Sequence, residues 1–316
     1  MSSTQIALLK KYDLAVRGFI GQNLLVDPNV QRNIVEVVDP RPDEWILEIG
    51  PGLGALTAQI LSAGARVIAV EKDKRFCEIL QGELGADYKG KLLIENADVL
   101  KTDLGKLLKR VSSLRGAPKG RRSNLKSKIA SASSKMLPRN DGKIKVVSNL
   151  PYYITSPALF WLIENRSSIE KSVLMMQREV AKRIMAQPGD KDYSRLTLGI
   201  RYYADVHRAF EVSRNCFTPK PDVDSTVVVL DFYPPSKLPK GLDEELFFHI
   251  VKTAFGARRK TLLNRLTRDS RIGKSREELL RVLNQLSIPE NARAEDLLLK
   301  DFMTLTLALS LEGREK

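Results

Sequence analysis

The stretch Glu48-Ile49-Gly50-Pro51-Gly52-Leu53-Gly54 ends an apolar run at 45–49 and opens a helical pattern near 54–63. A strand that runs into a glycine turn and then a helix commits a chain to β-α-β packing. Glycine lets the backbone turn tightly there and approach a ligand without a Cβ in the way. Further short apolar runs at 66–70, 92–95, 144–148 and 172–176 alternate with helical patterns near 28–38, 74–84 and 156–165. This alternation predicts an α/β, Rossmann-like fold, a parallel sheet with helices on both faces. A β-branched run at 226–232, with 206–212 as its antiparallel partner, closes one edge of the sheet.

The composition changes after Tyr233-Pro234-Pro235, where Pro239 and Gly241 extend a linker. Helical patterns follow near 243–268, 275–286 and 293–311, and Leu246, Phe247, Ile250, Val251, Ala254 and Phe255 recur at helical spacing in the first of them. The expected organisation is therefore a domain over 1–235 and a small all-helical domain over 236–316. Residues 112–142 fit neither pattern. They are rich in serine and basic residues, which predicts a mobile insertion.

Charge is concentrated rather than spread. The formal net charge is +14, and residues 109–145 hold twelve Lys or Arg against the single acid Asp141. Clustered cations reward phosphate neutralisation, so nucleic acid is the expected polyanion. Arg121 and Arg122 in this cluster, and Arg258, Arg259 and Lys260 near Asn264 and Arg265 on the predicted helix 243–268, are candidate RNA contacts. A solvated surface remains the alternative reading of both groups.

Two cysteines, Cys77 and Cys216, cannot build a disulfide framework, and two histidines, His207 and His249, cannot anchor a His-rich metal site. No metal is expected. Residues 1–25 are interrupted by Lys10, Lys11, Asp13 and Arg17, unlike a secretory signal. No uninterrupted apolar stretch approaches the ~18 residues of a membrane span. The expectation is a cytoplasmic, reduced protein without a membrane partner.

The glycine loop alone fits two cofactors equally. Gly50, Gly52 and Ala55 satisfy a dinucleotide fingerprint, and Glu71 ends the second predicted strand where it can accept from both ribose hydroxyls. Asp98, ending the third, adds a carboxylate able to accept from an adenine amino group, which favours S-adenosyl-L-methionine. Asn149-Leu150-Pro151-Tyr152 ends the fourth, where open α/β sheets bind ligands. The Asn149 oxygen and the Leu150 or Pro151 carbonyl form an acceptor pair for an exocyclic amino group. Such acceptors favour a more tetrahedral nitrogen as a methyl group arrives. Proline, lacking an N–H, leaves the segment presenting carbonyls. Tyr152 is placed to stack on a base, and Phe217, on a loop stiffened by Pro219 and Pro221, to cover its other face. A base held on both faces has left its own stack.

These segments in this order resemble the KsgA-type ribosomal RNA adenine dimethyltransferases. The likeness runs from Gly21-Gln22-Asn23 through Glu48 to Thr57, Glu71, Asp98, Asn149 to Tyr152, Gln177-Arg178-Glu179-Val180, Tyr193-Ser194-Arg195-Leu196, Phe217 to Ser225, and Ala254-Phe255 with Arg258-Arg259-Lys260. It implies a seven-stranded class I methyltransferase domain with a C-terminal helical domain. It also implies dimethylation of N6 of two adjacent adenines in a hairpin loop near the 3′ end of small-subunit (16S) rRNA, on a partly assembled small ribosomal subunit, by a monomer. By position, Asn23, Leu25, Gly50, Gly52, Glu71, Asp98 and Asn149 would contact S-adenosyl-L-methionine, and Asn149, Pro151, Tyr152 and Phe217 would handle the adenine. There are two departures: Leu24 stands where the family has Phe, and the insertion is longer than the family pattern, which makes it a candidate grip on rRNA phosphates. The alternatives on the same fold are a large-subunit rRNA adenine methyltransferase and a non-catalytic ribosome assembly factor. A DNA adenine methyltransferase usually has Pro where Leu150 stands.

Overall fold

The computed structural model describes residues 4–14, 23–114, 143–257 and 259–311. Arg121, Arg122 and Arg258, and most of the insertion, lie outside the described residues. Nine strands are present among the described residues: β1 Leu24–Leu25, β2 Trp45–Ile49, β3 Arg66–Glu71, β4 Leu92–Asn96, β5 Ile144–Asn149, β6 Ile169–Gln177, β7 Ala204–Val212, β8 Phe217–Thr218 and β9 Ser225–Phe232. Seven of them form one sheet in the order β4-β3-β2-β5-β6-β9-β7, while β1 and β8 make a separate two-stranded ladder. β2 pairs parallel with β3 and with β5, β3 with β4, and β5 with β6. β7 runs antiparallel to β9, as the β-branched run predicted.

The described helices are α1 Thr4–Lys11, α2 Pro28–Val38, α3 Ala55–Ser62, α4 Lys74–Leu84, α5 Leu104–Leu114, α6 Thr155–Glu164, α7 Arg178–Met185, α8 Arg195–Arg201, α9 Glu244–Ala254, α10 Leu262–Leu266, α11 Arg276–Gln285 and α12 Leu299–Leu311. Their ends are written in the sequence. Asp27 caps α2 by accepting from the Asn29 and Val30 amides, Pro28 supplies a preset φ at its first position, and Asp39 ends it in the left-handed region. Ser275 and Glu278 form a reciprocal capping box on α11.

By density of contacts the chain divides into two units, Met1–Met175 with Arg214–Asp222, and Met176–Ser213 with Val223–Lys316. The boundary expected after residue 235 falls inside the second unit. In the first unit, Ile46, Leu47, Val67, Ile68, Val146 and Val147 are fully buried along β2, β3 and β5. Strands covered on both faces read as continuous apolar runs, and β2 is buried at every position. β3 and β4 lie to one side of β2 and β5 and β6 to the other, so the strand order reverses there. That switch point opens a crevice at the strands' carboxyl ends.

In the second unit, Tyr202 stacks on Phe247 with ring centroids 4.7 Å apart, and the Tyr203 hydroxyl donates to Glu244 at 2.8 Å. The apolar spacing over 243–268 predicts one helix, but the chain breaks it into α9 and α10. The Phe255 amide turns back to the Thr253 and Val251 carbonyls, and Thr261 recaps the chain by accepting from the Asn264 amide. A Cβ at Gly256 would stand 2.5 Å from the Arg265 guanidinium, which would have to move aside for it. Arg259 and Lys260 are therefore exposed on a turn rather than a helix. The pattern at 293–311 likewise begins its α-helix only at Leu299, after a short 3-10 turn at Ala294–Asp296.

Candidate active site

The glycine turn joins β2 to α3, and Gly50, Gly52 and Gly54 all have positive φ, at 66°, 55° and 79°. L side chains pay roughly 1–2 kcal/mol per residue in that region, which is why glycine recurs. Gly54 has a further reason: a Cβ there would meet Leu80 Cδ2 at 2.5 Å, so the close packing of α3's start on α4 depends on its absence. A Cβ on Gly50 would point into open space, and Gly50 and Gly52 line a cavity of about 630 Å³.

Glu71, at the end of β3, is 8% exposed. Its Oε2 accepts from the Gly52 amide at 3.1 Å and its Oε1 from the Asp73 amide at 2.9 Å. Burial raises its pKa, and the backbone donors, which include Gly52 and Lys72, oppose that rise only in part. Each carboxylate oxygen retains a lone pair for a ligand hydroxyl. Asp98 caps the 3-10 turn Val99–Lys101 through the Leu100 amide at 3.1 Å, and Lys72 Nζ reaches its other oxygen at 3.1 Å. Burial pushes the Asp98 pKa up, but Lys72 and the Leu100 amide together outweigh it, and the carboxyl lies below its usual range.

Beneath the loop, Glu48 is 2% exposed and accepts from the Thr57 hydroxyl at 2.5 Å. Burial, with the nearby Glu71 charge, pushes its pKa up to about 7 against the pull of Thr57. Across the switch point the buried Ser148 hydroxyl donates to the Ile49 carbonyl at 2.7 Å, strapping β5 to β2.

Asn149 ends β5. Its Nδ2 donates to the Asn23 carbonyl at 3.0 Å. A carbonyl needs a donor, so this contact fixes the amide's orientation and leaves Oδ1 as the acceptor end. The Leu150 amide donates to the Met175 carbonyl at 3.0 Å, holding the following peptide against β6. The Pro151 carbonyl accepts from the Ile154 amide at 3.1 Å and the Thr155 hydroxyl at 3.3 Å. It is thus engaged within its own turn, and of the two carbonyls the sequence offered, that of Leu150 is the one the turn does not consume.

The structure gathers Asn23, Gly50, Gly52, Glu71, Asp98, Asn149, Pro151 and Tyr152 around the same cavity. Leu25 and Phe217 are not among its lining residues. They face each other across the β1–β8 ladder and are each 4% exposed. Leu24, the residue that departs from the family pattern, lines the cavity in their place. Side chains alternate along a strand, so two neighbours in β1 cannot both face the ligand. Lys72 and Tyr153 also line the cavity and carry no motif that marks them in the sequence. Arg259 and Lys260 belong to the second unit. No cluster of metal-ligating side chains is present among the described residues.

The fit to an adenosine cofactor rests on these residues. The cavity falls within the ~300–1,000 Å³ usual for small-molecule sites. Gly50 and Gly52 present no Cβ to it, and two carboxylates with spare acceptor capacity, Glu71 and Asp98, line it, as a ligand bearing hydroxyl and amino donors would need.

Comparison with known proteins agrees. A profile of the family described as "Ribosomal RNA adenine dimethylase" matches residues 14–309. The chain is 36% identical over 300 residues to "Ribosomal RNA small subunit methyltransferase A" of Alkaliphilus metalliredigens, covering 95% of this chain and 94% of that one. It is 37% identical over 306 residues to the protein of the same description from Geobacillus kaustophilus, covering 96% and 94%. Its fold resembles the crystal structure of a dimethyladenosine transferase from Plasmodium falciparum, with a TM-score of 0.72 at 25% identity over 92% of this chain and 98% of that one. It also resembles that of the 23S rRNA methyltransferase ErmE, with a TM-score of 0.62 at 22% identity over 91% and 100%. The chain belongs to the ribosomal RNA adenine dimethylase family and is an S-adenosyl-L-methionine-dependent methyltransferase acting on rRNA adenine.

Proposed function

We propose that this protein dimethylates N6 of two adjacent adenines in the hairpin loop near the 3′ end of small-subunit rRNA during assembly of that subunit. The observation that carries the chemistry is the Asn149 amide, locked by the Asn23 carbonyl at the rim of the cofactor cavity with its oxygen free to accept. The choice of subunit rests on relatives described as small-subunit methyltransferases that align along nearly the whole chain. The likeness to ErmE is one of fold alone.

When bound, S-adenosyl-L-methionine supplies an electrophilic methyl group on its sulfonium. Glu71 would accept from the ribose hydroxyls and Asp98 from the adenine amino group of that cofactor, and Gly50 and Gly52 would let it approach the backbone. Asn149 Oδ1 and the Leu150 carbonyl accept from the target N6 hydrogens and turn its lone pair toward the methyl group. Tyr152 stacks on the target ring and fixes N6 in line. The proton leaves for water, because methylation acidifies the nitrogen. Pro151 shapes the turn, and Phe217 acts at one remove, holding β1 so that Asn23 and Leu24 meet the cavity.

In this reading residues 236–316 form the RNA-contacting helical part, with Arg259 and Lys260 on the exposed turn between α9 and α10 meeting rRNA phosphates. The enzyme works as a monomer in the cytoplasm, where small subunits assemble. Among the described residues no helix is long and apolar enough to cross a membrane. The test is to incubate the protein with labelled S-adenosyl-L-methionine and small subunits lacking the modification, and to map the label. Label at two neighbouring adenines of the 3′ hairpin is expected. Label elsewhere in the small-subunit rRNA, or none, would overturn the assignment, as would label on large subunits offered in a parallel reaction when small subunits take none.

A further inference from the structure

α6 buries Ala158, Leu159, Trp161, Leu162 and Ile163 against the first unit, as an amphipathic helix should. Its outer face is not polar. Tyr153, in the 3-10 turn Tyr152–Ile154 that leads into α6, is 58% exposed, and Phe160 is 52% exposed. Pro157, between them, is exposed as well. Pro157 and Phe160, at i and i+3 of α6, share a stripe that ends at the exposed Glu164, and Tyr153 stands exposed in the turn just before it. A helix apolar on every side is ordinarily covered on every side. No aromatic contact ties Tyr153 or Phe160 to another ring among the described residues.

The stripe is continuous with the cofactor cavity through Tyr153, which lines that cavity. Lysines stand beside it, though two of them are paired: Lys72 with Asp98 at 3.1 Å and Lys74 with Glu78 at 3.7 Å. Lys72 and Lys74 line the same cavity, with side chains 67% and 80% exposed. Lys101 is exposed on the 3-10 turn against which α6 packs, where the Trp161 indole donates to the Thr102 carbonyl at 3.1 Å. Exposed aromatic faces flanked by lysines are what single-stranded nucleic acid binds: the rings stack on bases and the cations track phosphates. Seven residues of helix span about 10 Å. Bases stack about 3.4 Å apart along a strand, so the stripe has room for roughly three of them.

We propose that Tyr153, Pro157 and Phe160 form a stacking step for the bases next to the adenine in the site. The inference rests on the proposed function, which requires a strand to pass the cavity mouth and two neighbouring adenines to be presented in turn. While one base occupies the cavity, its neighbours lie on the stripe, and the step holds the loop open and in register.

The test compares the parent with Tyr153→Ala, Phe160→Ala, Tyr153→Phe and Phe160→Trp, on small subunits lacking the modification. Cofactor affinity and thermal unfolding serve as controls. The alanine variants should raise KM for the subunit by about 5- to 150-fold, which corresponds to ~1–3 kcal/mol per stacked base, while kcat moves far less. Tyr153→Phe and Phe160→Trp should restore parent behaviour, because stacking needs a ring and no hydroxyl. A photo-crosslinking phenylalanine analogue at position 160 should attach to rRNA beside the 3′ hairpin. An active parent whose alanine variants match it in KM overturns the stacking step alone, and so does a crosslink to ribosomal protein only. A parent that transfers no methyl group to adenine overturns the functional reading itself.

Discussion

Glu48 offers a measurement of what the fold gives up to close the cofactor loop. It lies in a fully buried strand, and its carboxyl is pushed from an ordinary 4.5 to about 7, by burial first and by the Glu71 charge in addition. That elevation is worth on the order of 3 kcal/mol. Between the two values the unfolded chain has shed its proton while the folded chain still holds one. Raising the pH across that window therefore favours unfolding. The cost is absent below about 4.5 and complete above about 7. Glu48→Gln preserves an acceptor for the Thr57 hydroxyl and cannot ionise. In urea unfolding from pH 4.5 to 8.5, the variant should therefore gain about 3 kcal/mol on the parent as the pH rises, with most of the gain below pH 7. Other titrating groups are common to both proteins and cancel in the difference, apart from Glu71, whose charge is coupled to that of Glu48. Two stability curves that run parallel across the window would refute the reasoning.

Further outcomes follow from the same geometry. Asn149→Ala should lower the methyl-transfer rate by about 10²–10³-fold or more in single-turnover assays, the scale of losing a preorganised polar group in an active site, while cofactor affinity falls far less. Gly54→Ala forces a Cβ into Leu80 and a left-handed φ on alanine, and should cost about 2–4 kcal/mol in denaturant unfolding. Asp269 accepts from Thr253 and His249, which outweigh its burial and hold its carboxyl at about 2. Its stabilising contribution should thus be complete above its ordinary pKa of 3.8 and fade as the pH falls toward 2, a slope that Asp269→Asn should flatten in acid unfolding. Deleting residues 115–139 should reduce the dependence of small-subunit binding on salt, read from the slope of log affinity against log salt, and leave cofactor affinity unchanged.

The parallel order of the sheet was legible because β2, β3 and β5 are continuous apolar runs separated by helix-length patterns, and the glycine turn fixed which loop faces the ligand. Family, fold class and cofactor followed from motifs whose spacing survives in the sequence. The break between α9 and α10 was not legible. The apolar spacing continues through it, while the chain turns at Phe255 and restarts at the Thr261 cap, with Arg265 folded back onto the Thr253 carbonyl, a contact made only in three dimensions. Nor could the sequence distinguish Leu24 from Leu25 at the cavity, since a shift of one residue turns every side chain of a strand to the other face. Tyr153 escaped notice because exposure, not periodicity, singles it out.

The ladder of β1 and β8 has a consequence for how the enzyme comes into being. Asp27 and Cys216, which flank it, are 189 residues apart, and Leu24 and Leu25 find their partners only at Thr218 and Phe217. Closing so long a loop is slow and yields nothing until its last segment arrives. A nascent chain can pair β2 with β3 while still on the ribosome, yet it has no finished rim around its methyl-donor cavity until translation has passed residue 218. Competence to methylate is thereby reserved for chains synthesised well past their midpoint.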